Sequence, residues 1–252
     1  MKKILITGGS DGIGLETAKI LAGEGSRLTL VARNRDKLQR AIASLNGKDH
    51  GFLVADLSDE QGIQLLSRHI SENQYDILIN NAGVGMYGRF EELPLTDQLS
   101  MMRLNMESLT ALSFCYLKQA RKGDALVNIA STLGVTSFPG LAVYAATKAY
   151  VTSFSDSLWW ENKSKGIYVL GFCPGATSTR FHETAGEQAA IFPKFVLQPP
   201  EQVAGELVKA IGRRSRPRVV SGIINRSMLF FQRFLTRKMS VNMMGSFSPV
   251  KK

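Results

Sequence analysis

The stretch TGGSDGIG, Thr7–Gly14, decides the fold of this 252-residue chain. It follows the apolar run KKILIT and opens a segment with helical spacing, which predicts a tight turn between a strand and a helix. Gly8 allows the turn, Gly12 lets the backbone approach a pyrophosphate, and Gly14 permits close packing of the helix. The helix N-terminus offers amide donors and a positive dipole end to a phosphate. The stretch predicts a phosphate cradle; a glycine-rich turn without a ligand is the alternative.

Short apolar runs alternate with helix-compatible segments along the rest of the chain. In order they are KKILIT, RLTLVA, HGFLVA, DILIN, ALVNIA, IYVLGF and RVVSGI. Near-continuous apolar strands separated by helices are typical of a parallel sheet that is covered on both faces. The pattern predicts an α/β fold in one domain, a doubly wound, Rossmann-type sheet of seven strands with helices on both faces.

Size and composition place the chain among soluble globular proteins. A chain of 252 residues, 44% of them hydrophobic, can bury a sizeable core. No stretch reaches the roughly 18 uncharged apolar residues of a membrane-spanning helix. Cys115 and Cys173 lie far apart and have no neighbouring ligand residues, so neither a disulfide framework nor a metal site is expected. We therefore predict a reduced, cytoplasmic setting.

Four further motifs follow the glycine stretch, each at the end of a predicted strand or just after one. They are NNAG at Asn80–Gly83, IAS ending at Ser131, YAATK at Tyr144–Lys148, and Pro174-Gly175 followed by Thr177. With the GxxxGxG spacing of the first motif, this series resembles the short-chain dehydrogenase/reductase family, in particular its NADP-preferring, ketoreductase-like members. The resemblance runs from about residue 3 to about residue 205. Because ligands of open α/β sheets bind at the carboxyl ends of the strands, the motifs are expected to share one crevice.

The pair Tyr144 and Lys148 is the centre of the expected chemistry. Four residues apart on a helix, the two side chains share a face, so the ammonium can favour the phenolate. An ordinary solvated helix pair is the alternative reading of this spacing. The resemblance implies that Tyr144 donates a proton to a carbonyl oxygen and that Lys148 lowers the pKa of Tyr144 and binds the nicotinamide ribose. It also implies that Ser131 orients the carbonyl and that Asn105 supports a proton-relay water.

Cofactor choice is expected to depend on the end of the second strand. There Ala32 stands where an acidic residue would bind the ribose of NAD, and Arg33 follows, which favours the 2′-phosphate of NADP(H). Asp11 argues the other way, because many NADP-preferring relatives carry a basic residue at that position. Asp56 resembles an adenine-contacting residue, or is a cap or turn residue. The expected cofactor-binding residues are Thr7, Gly8, Ser10, Asp11, Gly12, Ile13, Gly14, Arg33, Asp56, Asn81, Ala82, Gly83, Tyr144, Lys148, Pro174, Gly175 and Thr177.

The segment from about 177 to 200 is expected to be a substrate lid. Its apolar residues predict a lipophilic substrate, although they could instead pack the loop against the domain. These residues are Phe181, Ile191, Phe192, Phe195 and Val196, and His182 is interpreted as a lining residue. We divide the chain into a catalytic domain at 1–225, including this lid, and a basic amphipathic extension at 226–252.

The positive charge belongs to the C-terminal part of the chain. Residues 207–252 hold eleven Lys or Arg and no Asp or Glu, a formal charge of +11, whereas the preceding 206 residues carry −1. Within INRSMLFFQRFLTRKM an apolar stripe of Met228, Phe231, Leu235 and Met239 lies opposite Arg226, Arg233 and Arg237. Such a helix could rest on an anionic membrane or meet an acidic acyl carrier. Alternatively, the stripe closes the substrate pocket or forms a subunit contact. Nucleic acid is not an expected partner.

The sequence thus predicts an NADPH-dependent reductase of a lipophilic ketone or aldehyde, with alcohol oxidation as its reverse. Two alternatives are a non-catalytic NADP-binding sensor or scaffold and a peripheral membrane module with secondary enzymatic activity. Trp159 and Trp160 lie on the helix that such enzymes pair across a dimer interface, so a homo-oligomer is expected, although burial in the protomer's own core would also explain them.

Overall fold

Seven parallel strands form one sheet in the computed structural model, which describes residues 1–178, 197–248 and 250. They are β1 (Lys3–Thr7), β2 (Arg27–Ala32), β3 (Gly51–Val54), β4 (Ile77–Asn80), β5 (Ala125–Ile129), β6 (Tyr168–Cys173) and β7 (Arg218–Val220). Their order is β3-β2-β1-β4-β5-β6-β7, and every pairing is parallel. The predicted fold class and all seven predicted strands are confirmed.

Helices connect the strands and cover both faces of the sheet. Those in the described residues are α1 (Gly12–Gly23), α2 (Arg35–Ala43), α3 (Glu60–Glu72), α4 (Leu95–Met102), α5 (Leu109–Gln119), α6 (Ala142–Lys163), α7 (Pro200–Arg213), α8 (Ile223–Gln232) and α9 (Arg237–Ser246). A wider π-helical turn, Arg103–Ser108, joins α4 to α5, and a short 3₁₀ turn, Thr132–Gly134, follows β5. In the part of the chain that the structure describes, no helix is both long and apolar enough to cross a bilayer.

The strand residues alternate between two hydrophobic cores. Ile4 and Ile6 of β1 face a core with α1, α2 and α7, whereas Leu5 faces a second core with α3 and α5. The same alternation in β4 and β5 makes the runs almost uninterruptedly apolar, as a sheet buried on both faces requires. Trp159 of α6 packs against both cores, while Trp160 is 71% exposed. The two tryptophans therefore have different environments.

The prediction of one amphipathic helix through INRSMLFFQRFLTRKM is wrong. The chain forms α8 and then a turn over residues 233–236, and α9 begins afresh at Arg237. Thr236 has an extended backbone, and its hydroxyl accepts a hydrogen bond from the Met239 amide at 3.3 Å, so it caps the new helix. The predicted stripe is also not uniformly buried, since Phe231 is exposed and Met228 is half-buried.

Part of the predicted substrate lid cannot be compared with the structure. Its named residues Phe181, His182, Ile191, Phe192, Phe195 and Val196 lie outside the described residues. On either side of them, Thr177 and Gln198 pair in a parallel bridge, with Ser178 N donating to Gln198 O at 2.9 Å. The division of the chain at residue 225 stays a prediction.

Candidate active site

The predicted motifs meet at the carboxyl edge of the sheet. β1, β4, β5 and β6 are consecutive neighbours, so the segments that follow them lie side by side. The chain order reverses between β1 and β4, and a doubly wound sheet binds its ligand in the crevice at this point. The strand order therefore brings the glycine stretch, NNAG, Ser131 and Pro174-Gly175 to one edge.

The glycine stretch packs so tightly that two of its positions exclude a side chain. A Cβ on Gly14 would lie 2.5 Å from Asn81 Nδ2 and closer still to the carbonyl oxygen of Gly8. Gly8 has φ +65°, and a Cβ there would lie 2.8 Å from the same amide nitrogen. These glycines therefore let Asn81 pack directly against the turn, which forms a cradle at the start of α1. This cradle suits a pyrophosphate.

Thr7 and Asn81 join the glycine stretch to the segment after β4. The buried Thr7 hydroxyl accepts hydrogen bonds from the amides of Asn81 and Ala82, both at 3.0 Å. In return, Asn81 Nδ2 donates to the carbonyl oxygens of Thr7 and Gly8 at 3.0 and 3.1 Å. These four bonds fix the two walls of the crevice relative to each other.

Asp11 caps α1 and meets a cation from α2. Its side chain accepts a hydrogen bond from Gly12 N at 2.9 Å, and its other carboxylate oxygen lies 3.5 Å from Lys37 Nζ. The carboxylate that argued against a phosphate at this position is therefore accompanied by a positive charge. The ammonium of Lys37 therefore offsets part of the repulsion that the negative charge of Asp11 would exert on a phosphate.

Arg33 and Asp56 lie close together beyond the ends of β2 and β3. Asp56 Oδ1 accepts from the amide and hydroxyl of Ser58 at 2.9 and 2.6 Å. Burial acts to raise the pKa of Asp56, but these hydrogen bonds and the charge of the exposed Arg33 lower it overall. Asp56 forms a turn, and Asp59 caps α3 instead. The guanidinium of Arg33 thus lies close enough to Asp56 for the two charges to interact.

Tyr144 and Ser131 form a hydrogen-bonded pair across the crevice. Tyr144 lies in the first turn of α6, and Ser131 follows β5, where its hydroxyl also accepts from Leu133 N at 3.1 Å. Burial raises the pKa of Tyr144 to about 12, and the hydrogen bond with Ser131 opposes this rise. The sequence predicted a lowered phenol pKa; in the structure, burial has the larger effect. The phenol therefore holds its proton at neutral pH.

Lys148 is a buried ammonium one turn along α6 from Tyr144. Its Nζ donates to the Ile129 carbonyl at 2.9 Å and lies 5.8 Å from the centroid of the Tyr144 ring. Burial lowers the pKa of Lys148 to about 8, with a smaller opposing effect from Cys173. A Cβ on Gly83 would lie 3.3 Å from this nitrogen, so the glycine of NNAG leaves space beside the ammonium. A lowering of the Tyr144 pKa by Lys148 stays a prediction.

Asn105 lies in the π-helical turn between α4 and α5. Turns of this kind are frequently found at functional sites. Its Oδ1 accepts from Val84 N at 3.0 Å, and its Nδ2 donates to Val84 O at 2.9 Å and to Thr147 Oγ1 at 3.1 Å. Thr147 in turn donates to the Tyr144 carbonyl at 2.7 Å. Asn105 is therefore tied both to the segment after NNAG and to the helix that carries Tyr144.

The segment after β6 completes the crevice. The Pro174 carbonyl accepts from Thr132 N at 2.9 Å, and Thr177 Oγ1 donates to the Gly175 carbonyl at 3.1 Å. The buried Asn225 of α8 packs so closely on Gly175 that a Cβ there would clash with its amide. Pro174 thus lies next to the segment that begins at Ser131, and α8 packs against Gly175 through Asn225.

An apolar cluster covers Tyr144. Met101, Phe138 and Leu141 are buried around the Tyr144 ring, together with Met244 from α9. Next to this cluster, the Tyr87 hydroxyl and Ser248 Oγ are 2.8 Å apart, and Ser248 donates to the Pro139 carbonyl at 2.9 Å. The end of the C-terminal segment therefore covers part of the site, through residues that lie outside the predicted stripe.

Sequence reasoning missed Thr147, Lys37 and Asn225. Thr147 lies inside YAATK, three residues after Tyr144, so helical spacing offered a signal. Lys37 and Asn225 meet Asp11 and Gly175 only through the packing of α2 and α8. No local pattern in the sequence indicates either contact.

A glycine cradle at the switch point of a parallel sheet, beside a Tyr-Lys helix, defines a dinucleotide-binding oxidoreductase. The chain belongs to the short-chain dehydrogenase family, whose model matches residues 2–190. Carbonyl reductase family member 4 of Danio rerio is 32% identical over 190 residues, which cover 74% of this chain and 80% of that protein. Very-long-chain 3-oxoacyl-CoA reductase of Bos taurus is 29% identical over 223 residues, which cover 84% and 69% of the two chains. A solved short-chain dehydrogenase from Sphingobium yanoikuyae, in complex with NADPH, superposes with a TM-score of 0.81 at 28% identity and covers 92% of this chain and 93% of its own.

Proposed function

We propose that this protein is an NADPH-dependent reductase of lipophilic ketones or aldehydes. The observation that carries the proposal is the convergence of Ser131, Tyr144 and Lys148 in one buried crevice, with Asn105 tied to the same helix. A protein that only senses or scaffolds a nucleotide has no need of this group. When bound, NADPH supplies the hydride that the carbonyl carbon receives.

The chain's own residues supply and position the proton. Tyr144 carries its proton at neutral pH, as an unperturbed phenol would, and is placed to donate it to a carbonyl oxygen. Burial raises its pKa to about 12, so donation depends on stabilisation of the phenolate by its neighbours in the crevice. Ser131 hydrogen-bonds with the phenol and can orient the same oxygen. Lys148 holds a positive charge beside Gly83, where a ribose hydroxyl would be bound.

The charges around the glycine stretch support NADPH as the cofactor. Arg33 provides an exposed guanidinium beyond β2, and Lys37 accompanies Asp11 at 3.5 Å. A 2′-phosphate carries two negative charges, which the guanidinium of Arg33 would attract, while Lys37 would offset the repulsion from Asp11. The NADPH found in the Sphingobium yanoikuyae relative agrees with this choice.

The surroundings of Tyr144 favour an apolar substrate. Met101, Phe138, Leu141 and Met244 form the buried cluster on this side of the phenol. The names of the relatives, a carbonyl reductase and a very-long-chain 3-oxoacyl-CoA reductase, suit the same substrate class.

A homo-oligomer belongs to the proposal as well, because the α4–α6 region exposes apolar side chains. These are Leu95, Leu99, Met102, Phe114 and Trp160. The cytoplasmic location and an acidic acyl-carrier partner stay predictions.

The proposal is tested by following NADPH absorbance with a panel of carbonyl compounds that includes long-chain acyl ketones and steroids. We expect turnover with apolar members of the panel. Tyr144→Phe should lower kcat by about 100-fold or more while NADPH still binds, since general acid catalysis contributes 10² to 10⁴. Binding of NADPH without turnover of any carbonyl by the wild-type chain would favour the sensor alternative. Turnover that survives in Tyr144→Phe would contradict the assignment of the acid.

A further inference from the structure

Helix α8 carries an apolar surface that no part of the described chain covers. Ile223, Ile224, Phe230, Phe231 and Phe234, on α8 and the turn after it, are 72%, 53%, 54%, 66% and 74% exposed. We call these five residues the docking face. Phe230 lies at its centre, with its ring centroid 5.6 Å from those of both Phe231 and Phe234 in edge-to-face contacts. Clustered exposed aromatics of this kind mark an interaction surface.

The docking face is bordered by charges of a single sign. Arg226, Arg233, Arg237 and Lys238 are all exposed, and within the described residues none of them forms an ion pair. The nearest acidic residue along the chain before them is Glu206, because residues 207–252 contain no Asp or Glu. The partner that fits this surface is therefore apolar at its centre and anionic at its rim.

We propose that the docking face binds the surface of an anionic lipid bilayer. A second copy of the chain is a poorer partner, because a two-fold contact would bring the same arginines together. Aromatic residues next to Arg and Lys are the composition of helices that lie in the headgroup region. At ten residues, α8 is about 15 Å long, which suits a helix lying in the interface rather than crossing it.

The docking face is physically linked to the cover of the candidate active site. Gln232, the last residue of α8, donates through Nε2 to Met244 Sδ at 3.4 Å, and Met244 is buried in the cluster around Tyr144. A membrane-bound chain would thus hold this cover close to the lipid, where an apolar carbonyl substrate is concentrated. This consequence rests on the proposed reductase function, whereas the docking itself does not.

The test is sedimentation of the full chain with vesicles of phosphatidylcholine alone and of phosphatidylcholine mixed with phosphatidylglycerol. We expect the wild-type chain to pellet with the anionic vesicles and to lose this binding at high salt. The triple variant Arg226→Gln, Arg233→Gln, Arg237→Gln should bind about 100-fold more weakly, from about 1 kcal/mol for each charge. A second triple variant, Phe230→Ser, Phe231→Ser, Phe234→Ser, should also stay in the supernatant.

Trp160→Ser is the matched control. Trp160 is 71% exposed and has Lys163 Nζ 5.6 Å from its ring, but it lies near the end of α6 that leads into β6, away from the carboxyl edge. This variant should pellet like the wild-type chain. All variants should retain turnover of a water-soluble carbonyl. If no chain, including the wild type, shows reductase activity, the result counts against the proposed function and leaves the docking proposal standing.

Three results would overturn the docking proposal. The first is a wild-type chain that does not pellet with anionic vesicles. The second is equal pelleting of the wild-type chain and both triple variants. The third is a change in oligomeric mass, measured without lipid, on replacing the three phenylalanines, because it would show that a second copy covers the docking face.

Discussion

Replacing Lys148 with Met should make the protein more stable and inactive. Lys148 is 4% exposed, and within the described residues its ammonium has one hydrogen bond, to the Ile129 carbonyl. Methionine has a similar length and buries without a charge. The substitution therefore removes the cost of a buried ammonium together with the charge proposed to bind the ribose.

The pKa of Lys148 sets the size of this effect. Its fall from 10.5 to about 8 means that holding the charge in the folded state costs about 3 kcal/mol, at about 1.4 kcal/mol per pKa unit. The lost hydrogen bond offsets about 1 to 2 kcal/mol of this gain. We expect Lys148→Met to raise the free energy of unfolding by about 1 to 2 kcal/mol near neutral pH, and the Tm by about 2 to 8 °C.

The dependence of the free energy of unfolding on pH tests separately whether Lys148→Met is stabilising. Below pH 8 the lysine is charged in both the folded and the unfolded state, so the full cost is present in the wild-type chain. Between pH 8 and 10.5 the unfolded chain binds more protons than the folded one, and wild-type stability rises with pH relative to the variant. The advantage of Lys148→Met should therefore fall by about 3 kcal/mol across this window and become a disadvantage of about 1 to 2 kcal/mol above it.

Urea unfolding of both chains, purified without cofactor, measures the difference at each pH. Lys163→Met is the control, because Lys163 is an exposed lysine of the same helix and its replacement should change stability little. A variant that is less stable near neutral pH, with a difference that does not change between pH 8 and 10.5, would refute the reasoning. Such a result would mean that the ammonium is well solvated in the folded chain.

Three further predictions concern the cofactor crevice. Arg33→Ala should raise the KM for NADPH about tenfold and leave the KM for NADH nearly unchanged, because it removes one charge-assisted contact to the 2′-phosphate. Steady-state kinetics with each cofactor measure both constants, and an equal rise in the two would contradict the assignment. Lys37→Ala should weaken NADPH binding a few-fold more than NADH binding in titration calorimetry, since it takes a cation from Asp11. Gly14→Ala should lower the free energy of unfolding by about 2 kcal/mol or more through overpacking, whereas Gly23→Ala, with nothing within 4 Å of its added Cβ, should not destabilise the chain.

Much of this site was predictable because its motifs are local. The glycine spacing specifies a turn whatever the rest of the chain does, and the alternation of strands and helices orders the motifs along one sheet edge. Tyr144 and Lys148 follow from helical spacing and from the family resemblance. The phosphate contact of Arg33, inferred from its place after the second strand, stays a prediction.

The sequence by itself determined the sheet, its order of motifs and the residue types at the crevice, because period and turn chemistry act over a few residues. Only the tertiary structure decided how those residues behave. Burial raises the pKa of Tyr144, where helical spacing alone had suggested a lowered one. Lys37 reaches Asp11 from another helix, and the C-terminal segment breaks into two helices, of which α9 covers Tyr144 while α8 stays exposed. Desolvation and long-range contacts depend on which elements meet, and no local pattern encodes that.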